Sequence, residues 1–162
     1  MIKYNLFLFF AWLLVIPAGL IRLYSKKDTF HTLISRFAFF KNSEPAKQTI
    51  WCHAASVGEF NTLETLIPSI KEKFKNNEIL ITVSNIVAYE QAKLWSDKQT
   101  HVAIAPLDFP NVLKRFIKYW KPITFITIEN EIFPNRIVLL KKSGCKIVWV
   151  NARISVKSMK FW

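Results

Sequence analysis

The chain has 162 residues and a formal net charge of +12 at pH 7, from 23 Lys and Arg against 11 Asp and Glu. That length provides one domain with a sizeable core but no second full domain. A hydrophobic share of 51% with only 3 glycines excludes a disordered or low-complexity chain. The positive charge favours an anionic partner, for which nucleic acid and anionic lipid are both candidates.

The apolar N-terminal stretch is the first predicted element. Residues 4–21 carry no formal charge and are mostly Leu, Phe, Ile, Val, Ala and Trp, which is about the length that crosses a hydrocarbon core. This pattern predicts a single-pass membrane helix over 1–25. The basic residues Arg22, Lys26 and Lys27 follow it, so the positive-inside rule places the remaining chain in the cytoplasm. A signal peptide is the alternative, but no clear Ala-x-Ala cleavage site follows the run.

Residues 26–48 form a second, membrane-proximal region. Pro17 and Gly19 within the preceding run leave open a shorter interfacial insertion instead of a full span. Apolar residues then recur at helical spacing between 28 and 40, which suits a helix on a membrane surface or one packed against the domain: Phe30, Leu33, Ile34, Phe37 and Phe40. Residues 42–48 are polar and predict a short connector.

From residue 49 onward, short apolar runs alternate with longer stretches of helical periodicity. The predicted strands are 49–54, 79–84, 101–105, 123–128 and 146–150, and the predicted helices are 59–75, 86–97, 110–120 and 132–143. Strands that are apolar throughout and separated by helices are typical of a parallel sheet covered on both faces. We therefore predict a doubly wound α/β domain over 49–162.

Polar residues follow several predicted strands, and ligands of open parallel sheets bind at that edge. Ser56, Gly58 and Glu59 come after the first strand. Ser-x-x-Glu is the capping-box pattern, so Ser56 and Glu59 suit a helix N-terminus. Glu59 equally suits a catalytic base, since a carboxylate at this edge can accept a proton from a substrate hydroxyl. Gly58 predicts a tight turn that lets a ligand approach the backbone.

Two further carboxylates, Glu129 and Glu131, follow the fourth and most apolar predicted strand. They are expected at the same sheet edge as Glu59, where neighbouring carboxylates influence one another's protonation. Glu131 is also explained by proximity to the start of a helix near Pro134. No such explanation applies to Glu129, which strengthens the case for a site at this edge.

Other sequence features limit the kinds of functional site that the chain can form. Asp108 is predicted to cap the helix that begins near 110. His53 has no second His or Cys at ligand spacing, so we expect no metal site. Cys52 and Cys145 lie in apolar runs without CxxC spacing, which predicts buried, reduced thiols. With so few glycines, neither a dinucleotide-binding nor a phosphate-loop motif is possible.

Four stretches together resemble a known family: His53-Ala-Ala-Ser-Val-Gly-Glu59, Pro106-Leu-Asp-Phe-Pro110, Glu129-Asn-Glu-Ile-Phe-Pro-Asn135 and Asn151-Ala-Arg-Ile-Ser155. In order and spacing they are similar to the N-terminal half of 3-deoxy-D-manno-octulosonic acid (Kdo) transferases of Gram-negative bacteria. The resemblance implies the Rossmann-like half of a glycosyltransferase-B fold. It also implies transfer of Kdo from CMP-Kdo to a lipid A precursor at the inner membrane, with inversion and with neither cofactor nor metal.

The same resemblance implies roles for single residues. Glu59 corresponds to the general base of the family. Around it, residues that bind substrate are implied at Ser56, Gly58, Glu129, Glu131 and Arg153. Three arginines are candidates for contacts with anionic sugars, and the alternative interpretation of each is an ordinary solvated surface charge: Arg115, Arg136 and Arg153. The acidic motif departs from the usual family pattern at Asn130, Ile132 and Phe133.

The family's nucleotide-binding domain has no counterpart within these residues, which predicts inactivity unless a separate C-terminal half is supplied. The alternative function is a non-catalytic, membrane-associated protein whose basic surface binds anionic lipid. Nucleic acid is not an expected partner, because the charge is scattered and no recognised binding module is present.

Overall fold

The computed structural model describes residues 2–25, 29–40, 47–129 and 132–152. Eleven helices and strands lie in these ranges, in addition to a short 3-10 turn at Lys93–Trp95. In chain order they are α1 (Ile2–Tyr24), α2 (Phe30–Ser35), β1 (Thr49–Ala54), α3 (Val57–Lys73), β2 (Glu78–Val83), α4 (Ile86–Ala92), β3 (Thr100–Ile104), α5 (Pro110–Trp120), β4 (Pro122–Ile128), α6 (Pro134–Lys142) and β5 (Lys146–Val150).

The five strands form one sheet in the order β3-β2-β1-β4-β5, and every pairing is parallel. The predicted α/β sheet is therefore confirmed as a Rossmann-like fold. Since β1 and β4 are neighbours, the connection from β3 must pass over the sheet before β4 begins. Strand order consequently reverses between β1 and β4, and this reversal is the place where open α/β sheets bind ligands.

One face of the sheet is covered by α3 and α4. Alternate residues of β1 and β2 point to this face, where Ile50, Cys52, Ile79 and Ile81 are fully buried. They pack against apolar residues spaced along one side of α3, namely Phe60, Leu63, Ile67 and Ile70. This apolar stripe explains why α3 lies flat on the sheet and brings its N-terminus to the carboxyl edge.

The opposite face is covered by α5 and α6 and is rich in aromatic residues. Trp51 of β1 is fully buried, with its ring centroid 4.7 Å from that of Phe116 and 4.6 Å from that of Phe125. Its indole N–H donates to Thr82 Oγ1 at 2.7 Å, so the polar atom is satisfied. Because both faces of the sheet are buried, these strands appear in the sequence as continuous apolar runs.

The N-terminal apolar stretch is a helix, α1, as predicted. Among the residues that the structure describes, however, no helix has both the length and the apolar character needed to cross a bilayer. The single-pass anchor predicted over 1–25 is therefore unsupported. Instead α1 contacts the α/β domain: the Tyr4 hydroxyl donates to Asp108 Oδ2 at 2.8 Å, and a Cβ at Gly19 would lie 3.3 Å from the Leu33 side chain.

The next segment differs from the continuous helix predicted between 28 and 40. Helix α2 covers only Phe30–Ser35 and is capped by reciprocal hydrogen bonds between Thr29 and Thr32. Ala38 adopts a left-handed φ of 55°, which turns the chain so that Phe37 and Phe40 pack on the aromatic core while Phe39 stays exposed. Most of the predicted connector, 42–46, lies outside the described residues.

Candidate functional site

The candidate site lies at the carboxyl edge where β1 and β4 are adjacent. His53 of β1 pairs with Thr127 of β4. Ala55 and Glu129 are two residues further along the chain, just beyond the ends of these strands, and therefore lie at about the same level of the sheet. The turn from β1 into α3 and the turn from β4 toward α6 thus meet at the reversal of strand order, as the sequence predicted for Glu59 and Glu129.

The Glu59 carboxylate is held by hydrogen bonds within its own turn. Ser56 is the N-cap of α3, and its Oγ accepts from the Glu59 N–H at 3.2 Å. In return, Glu59 Oε2 accepts from the Ala55 N–H at 2.8 Å and Glu59 Oε1 accepts from the Ser56 hydroxyl at 3.2 Å. The capping interpretation of this pair is confirmed. The same bonds fix the carboxylate in one orientation at the helix N-terminus, where the helix dipole favours negative charge.

Asn85 also shapes this turn, although no specific role was predicted for it from the sequence. Its side-chain amide donates to the Ala55 carbonyl at 3.1 Å, while its Oδ1 caps α4 by accepting from the Ala88 N–H at 2.9 Å. Ala55 is therefore bonded on its N–H by Glu59 and on its carbonyl by Asn85. An Asn directly before a helix signals an N-cap, but the bond to Ala55 depends on the adjacency of β1 and β2.

Glu129 directly follows β4 and has an uncommon backbone conformation. Its φ is 57°, in the left-handed region that residues with a Cβ rarely occupy. The Glu129 N–H donates to the Val150 carbonyl at 2.9 Å, which extends the β4–β5 ladder by one bond before the chain turns. The residue is exposed. Two other predicted site residues, Glu131 and Arg153, lie outside the described residues.

Asp108 does not cap α5, so that prediction was wrong. Helix α5 begins after Phe109 without a side-chain cap. The Asp108 carboxylate instead accepts from the N–H groups of Asn135 and Arg136, at 3.0 and 2.9 Å, in the first turn of α6. It is buried and also accepts from Tyr4. Burial raises the pKa of Asp108, and these hydrogen bonds partly oppose that rise.

Two of the arginines that were candidates for contacts with anionic sugars make contacts within the fold. Arg136 is buried, with 1% of its surface exposed. Its guanidinium donates to the Pro106 carbonyl at 3.2 Å and lies 4.3 Å from the Phe133 ring centroid, so no ligand reaches it in this conformation. Arg115 is exposed, but it donates to the Phe37 carbonyl at 2.8 Å and thereby attaches the segment after α2 to α5.

Other candidate groups lie in the core or away from this edge. Within the described ranges, no three or more His, Cys, Asp or Glu residues are grouped so as to hold a metal ion. Cys52 and Cys145 are buried, as predicted, and burial raises the pKa of their thiols to about 12 and about 11. A cavity of about 460 Å³ lies between α3 and the β4–β5 face, and neither Glu59 nor Glu129 lines it.

Comparison with known proteins agrees with the family resemblance of the four sequence stretches. A family model described as 3-deoxy-D-manno-octulosonic-acid transferase (kdotransferase) matches residues 31–162. The chain is 34% identical over 127 residues to a probable mitochondrial 3-deoxy-D-manno-octulosonic acid transferase of Arabidopsis thaliana, which covers 78% of this chain and 28% of that protein.

Two bacterial relatives carry the name 3-deoxy-D-manno-octulosonic acid transferase. Identity is 39% over 120 residues to that of Rickettsia typhi, covering 72% of this chain and 25% of the relative. It is 33% over 128 residues to that of Haemophilus influenzae, covering 78% and 30%. The chain therefore spans about a quarter to a third of the length of these relatives.

Proposed function

Because the chain belongs to the 3-deoxy-D-manno-octulosonic-acid transferase family, we propose that it forms the acceptor-binding half of a glycosyltransferase. The proposed reaction transfers Kdo from CMP-Kdo to a hydroxyl of a lipid A precursor. The observation that carries this proposal is the Glu59 carboxylate, held at the N-terminus of α3 beside the reversal of strand order.

In the proposed reaction Glu59 is the general base. As the acceptor hydroxyl oxygen attacks the anomeric carbon of Kdo, its proton passes to the carboxylate, the bond from that carbon to the phosphate oxygen breaks, and CMP departs. Attack on the face opposite to CMP inverts the anomeric centre. Because CMP is already a good leaving group, the reaction needs only one positioned carboxylate, which accepts the proton of the acceptor hydroxyl.

The hydrogen bonds of Glu59 are compatible with this role. Each carboxylate oxygen accepts one hydrogen bond within the turn, and each has a second lone pair that can accept from a substrate hydroxyl. Gly58 leaves space for such a substrate, because a Cβ added there would meet only Ser56 Oγ, at 3.9 Å. Ser56 and Gly58 are therefore proposed to border the acceptor sugar.

Substrate contacts are also proposed for Glu129, Glu131 and Arg153. Glu129 follows β4, which is adjacent to β1, the strand that precedes the turn of Glu59, and it is exposed at the same edge. A carboxylate there can accept hydrogen bonds from sugar hydroxyls, while the guanidinium of Arg153 can bind the carboxylate or phosphate of an anionic sugar. The roles of Glu131 and Arg153 rest on the family motif alone.

Donor binding is proposed to require a C-terminal domain supplied in addition to these 162 residues. A transferase that closes two domains around its substrates cannot complete its site with one of them, so we expect the chain alone to be inactive. The lipid acceptor places the complete enzyme at the cytoplasmic side of the inner membrane in this proposal.

Complementation tests the assignment of Glu59. The chain is co-expressed with the C-terminal part of the Haemophilus influenzae relative, and Kdo transfer from CMP-Kdo to a lipid A precursor is measured. Glu59→Gln should lower the rate by roughly 100-fold to 10,000-fold, the usual contribution of a general base. Glu72→Gln is the matched control, since Glu72 is exposed on the same helix. Equal activity of the Glu59 variant and the control would remove Glu59 from the mechanism.

The net charge of +12 favours a second candidate function, a non-catalytic protein that binds anionic lipid. It predicts lipid binding that weakens with salt and does not depend on Glu59 or Glu129. Complementation that yields no transfer under any condition, together with such binding, would select this alternative.

A further inference from the structure

The cavity of about 460 Å³ between α3 and the β4–β5 face lies on a part of the sheet that is incompletely covered. Helix α3 contacts β1 and β4, while α4 contacts β2 and β3, so β5 lies at the less covered end of this face within the described part of the chain. Val148 and Val150 of β5 are accordingly half-buried, whereas Ile50 of β1 is fully buried. We call this cavity the β5 groove. Its volume lies within the range of about 300–1,000 Å³ that is typical of small-molecule sites.

Apolar side chains form most of the β5 groove. Leu66 of α3 belongs to its wall, and its floor is made by alternate residues of two strands, Ile126 of β4 with Val148 and Val150 of β5. Ile126 lies opposite Val148 in the β4–β5 register, so the floor is a continuous apolar strip. From Lys146 to Val150 this strip is about 13 Å long, at about 3.3 Å per residue of a parallel strand. A long apolar floor of this kind suits an alkyl chain better than a compact polar ligand.

One end of the β5 groove is polar and positively charged. Lys73 is in the last turn of α3 and Lys146 begins β5; both are exposed and line the groove at the amino edge of the sheet. Thr124, the register partner of Lys146, adds a hydroxyl at the same end. No acidic residue is among the described residues that line the groove. Since Glu129 lies beyond the opposite end, where its N–H donates to the Val150 carbonyl, an anionic group is favoured at the lysine end alone.

We propose that the β5 groove binds a fatty acid, with the alkyl chain on the apolar strip and the carboxylate at the end that carries Lys73 and Lys146. Burial of the alkyl chain supplies most of the affinity, and hydrogen bonds from the two ammonium groups fix the direction in which the ligand lies. The net charge of +12 opposes a second copy of the chain as the occupant. Because Glu59 does not line the groove, this site is independent of the proposed transferase reaction.

Calorimetric titration of the full chain with octanoate and decanoate, each below its critical micelle concentration, tests the apolar strip. One fatty acid should bind per chain, and decanoate should bind about 10-fold more tightly than octanoate, because each added methylene is worth roughly threefold to fourfold in Kd. Leu66→Glu should weaken decanoate binding at least 10-fold. The matched control is Leu94→Glu, which replaces a leucine exposed by 86% elsewhere on the surface and should stay within twofold. Binding that does not saturate, or that is equal for the two fatty acids, would overturn the proposal.

Removal of the two lysine charges tests the polar end. In the double variant Lys73→Gln with Lys146→Gln, the Kd of decanoate should rise about threefold to tenfold, the usual worth of two exposed ion pairs. Decan-1-ol has the same alkyl chain without the charge, so its Kd should stay within twofold. The matched control is Lys141→Gln with Lys142→Gln, two exposed lysines in the last turn of α6 that do not line the groove. Equal effects of the two lysine pairs on decanoate would overturn the proposal.

Two results would assign the β5 groove to a protein occupant and thereby overturn the proposal. If decanoate does not bind and Leu66→Glu lowers the transfer rate of the complemented enzyme, the C-terminal half covers the groove. If sedimentation shows a dimer that Leu66→Glu dissociates, a second copy covers it. Circular dichroism of each variant checks that the fold is retained. Because the titration needs no catalysis, Glu59→Gln should bind decanoate like the original chain, so failure of the transferase assignment is distinguishable from failure of this one.

Discussion

The turn after β1 and the turn after β4 lie side by side at the carboxyl edge of the sheet, yet different interactions fix them. In the first turn, Glu59 and Ser56 bond to each other and to Ala55, all within five residues. The second turn begins with Glu129 at a left-handed φ and leads to α6, whose first turn is capped by the distant Asp108. The proposed base is therefore held locally, whereas the other side of the site depends on long-range contacts.

Removal of the Asp108 side chain, which caps α6, should have the largest effect on the free energy of unfolding. Asp108→Ala leaves the N–H groups of Asn135 and Arg136 and the Tyr4 hydroxyl without their shared acceptor. We expect the free energy of unfolding to fall by about 2–4 kcal/mol, since bonds to a charged group are stronger than average. Urea denaturation measures it. Tyr4→Phe removes only one of the three bonds and should lose less; a larger loss for Tyr4→Phe would contradict this account.

A smaller effect is expected at Asn85, which follows β2 and donates to Ala55 in the first turn. Asn85→Ala removes both the α4 cap and the bond to the Ala55 carbonyl, and should lower the free energy of unfolding by about 1–2 kcal/mol. Asn85→Asp keeps the capping oxygen but no longer donates to Ala55. It should therefore retain part of the stability while lowering the transfer rate of the complemented enzyme. Loss of stability without any loss of rate in Asn85→Asp would show that Ala55 does not position Glu59.

Glycine at position 129 tests whether the second turn is strained. Glu129→Gly removes the Cβ from a left-handed residue, which should raise the free energy of unfolding by about 0.5–1 kcal/mol. Lys121→Gly is a matched control, because Lys121 is also exposed and has a φ of 45°. Both substitutions should act in the same direction. A destabilised Glu129→Gly beside a stabilised Lys121→Gly would mean that the Glu129 side chain makes a favourable contact.

The smallest expected effect is a change with pH in the stability that Asp108 contributes. Because burial raises the pKa of Asp108, the folded state holds this proton at pH values where the unfolded state has lost it. Its contribution to stability is therefore fully present below about pH 4, the ordinary aspartate pKa, and falls as pH rises through the folded pKa. The difference in unfolding free energy between the original chain and Asp108→Asn should accordingly shrink as pH rises. A difference that grows with pH would contradict the sign.

The sequence alone predicted the elements of the sheet and the first turn of the site. Strands such as Thr49–Ala54 were recognisable because residues buried on both faces must be apolar at every position. The capping pair Ser56 and Glu59 was recognisable because its partners are three residues apart. The helix predicted between 28 and 40 failed because the left-handed turn at Ala38 and the packing of Phe40 override the local periodicity.

Only the tertiary structure decided which loops meet and which charges are buried. Asp108 and Asn135 are 27 residues apart, and Asn85 and Ala55 are 30 apart, so no local pattern selects these pairs. Arg136 reads as a surface charge in the sequence but is buried against aromatic rings. The physical reason is that helices, strands and caps are set by neighbours within one or two turns. Contacts between loops depend on strand order and helix packing, which bring distant residues to one edge of the sheet.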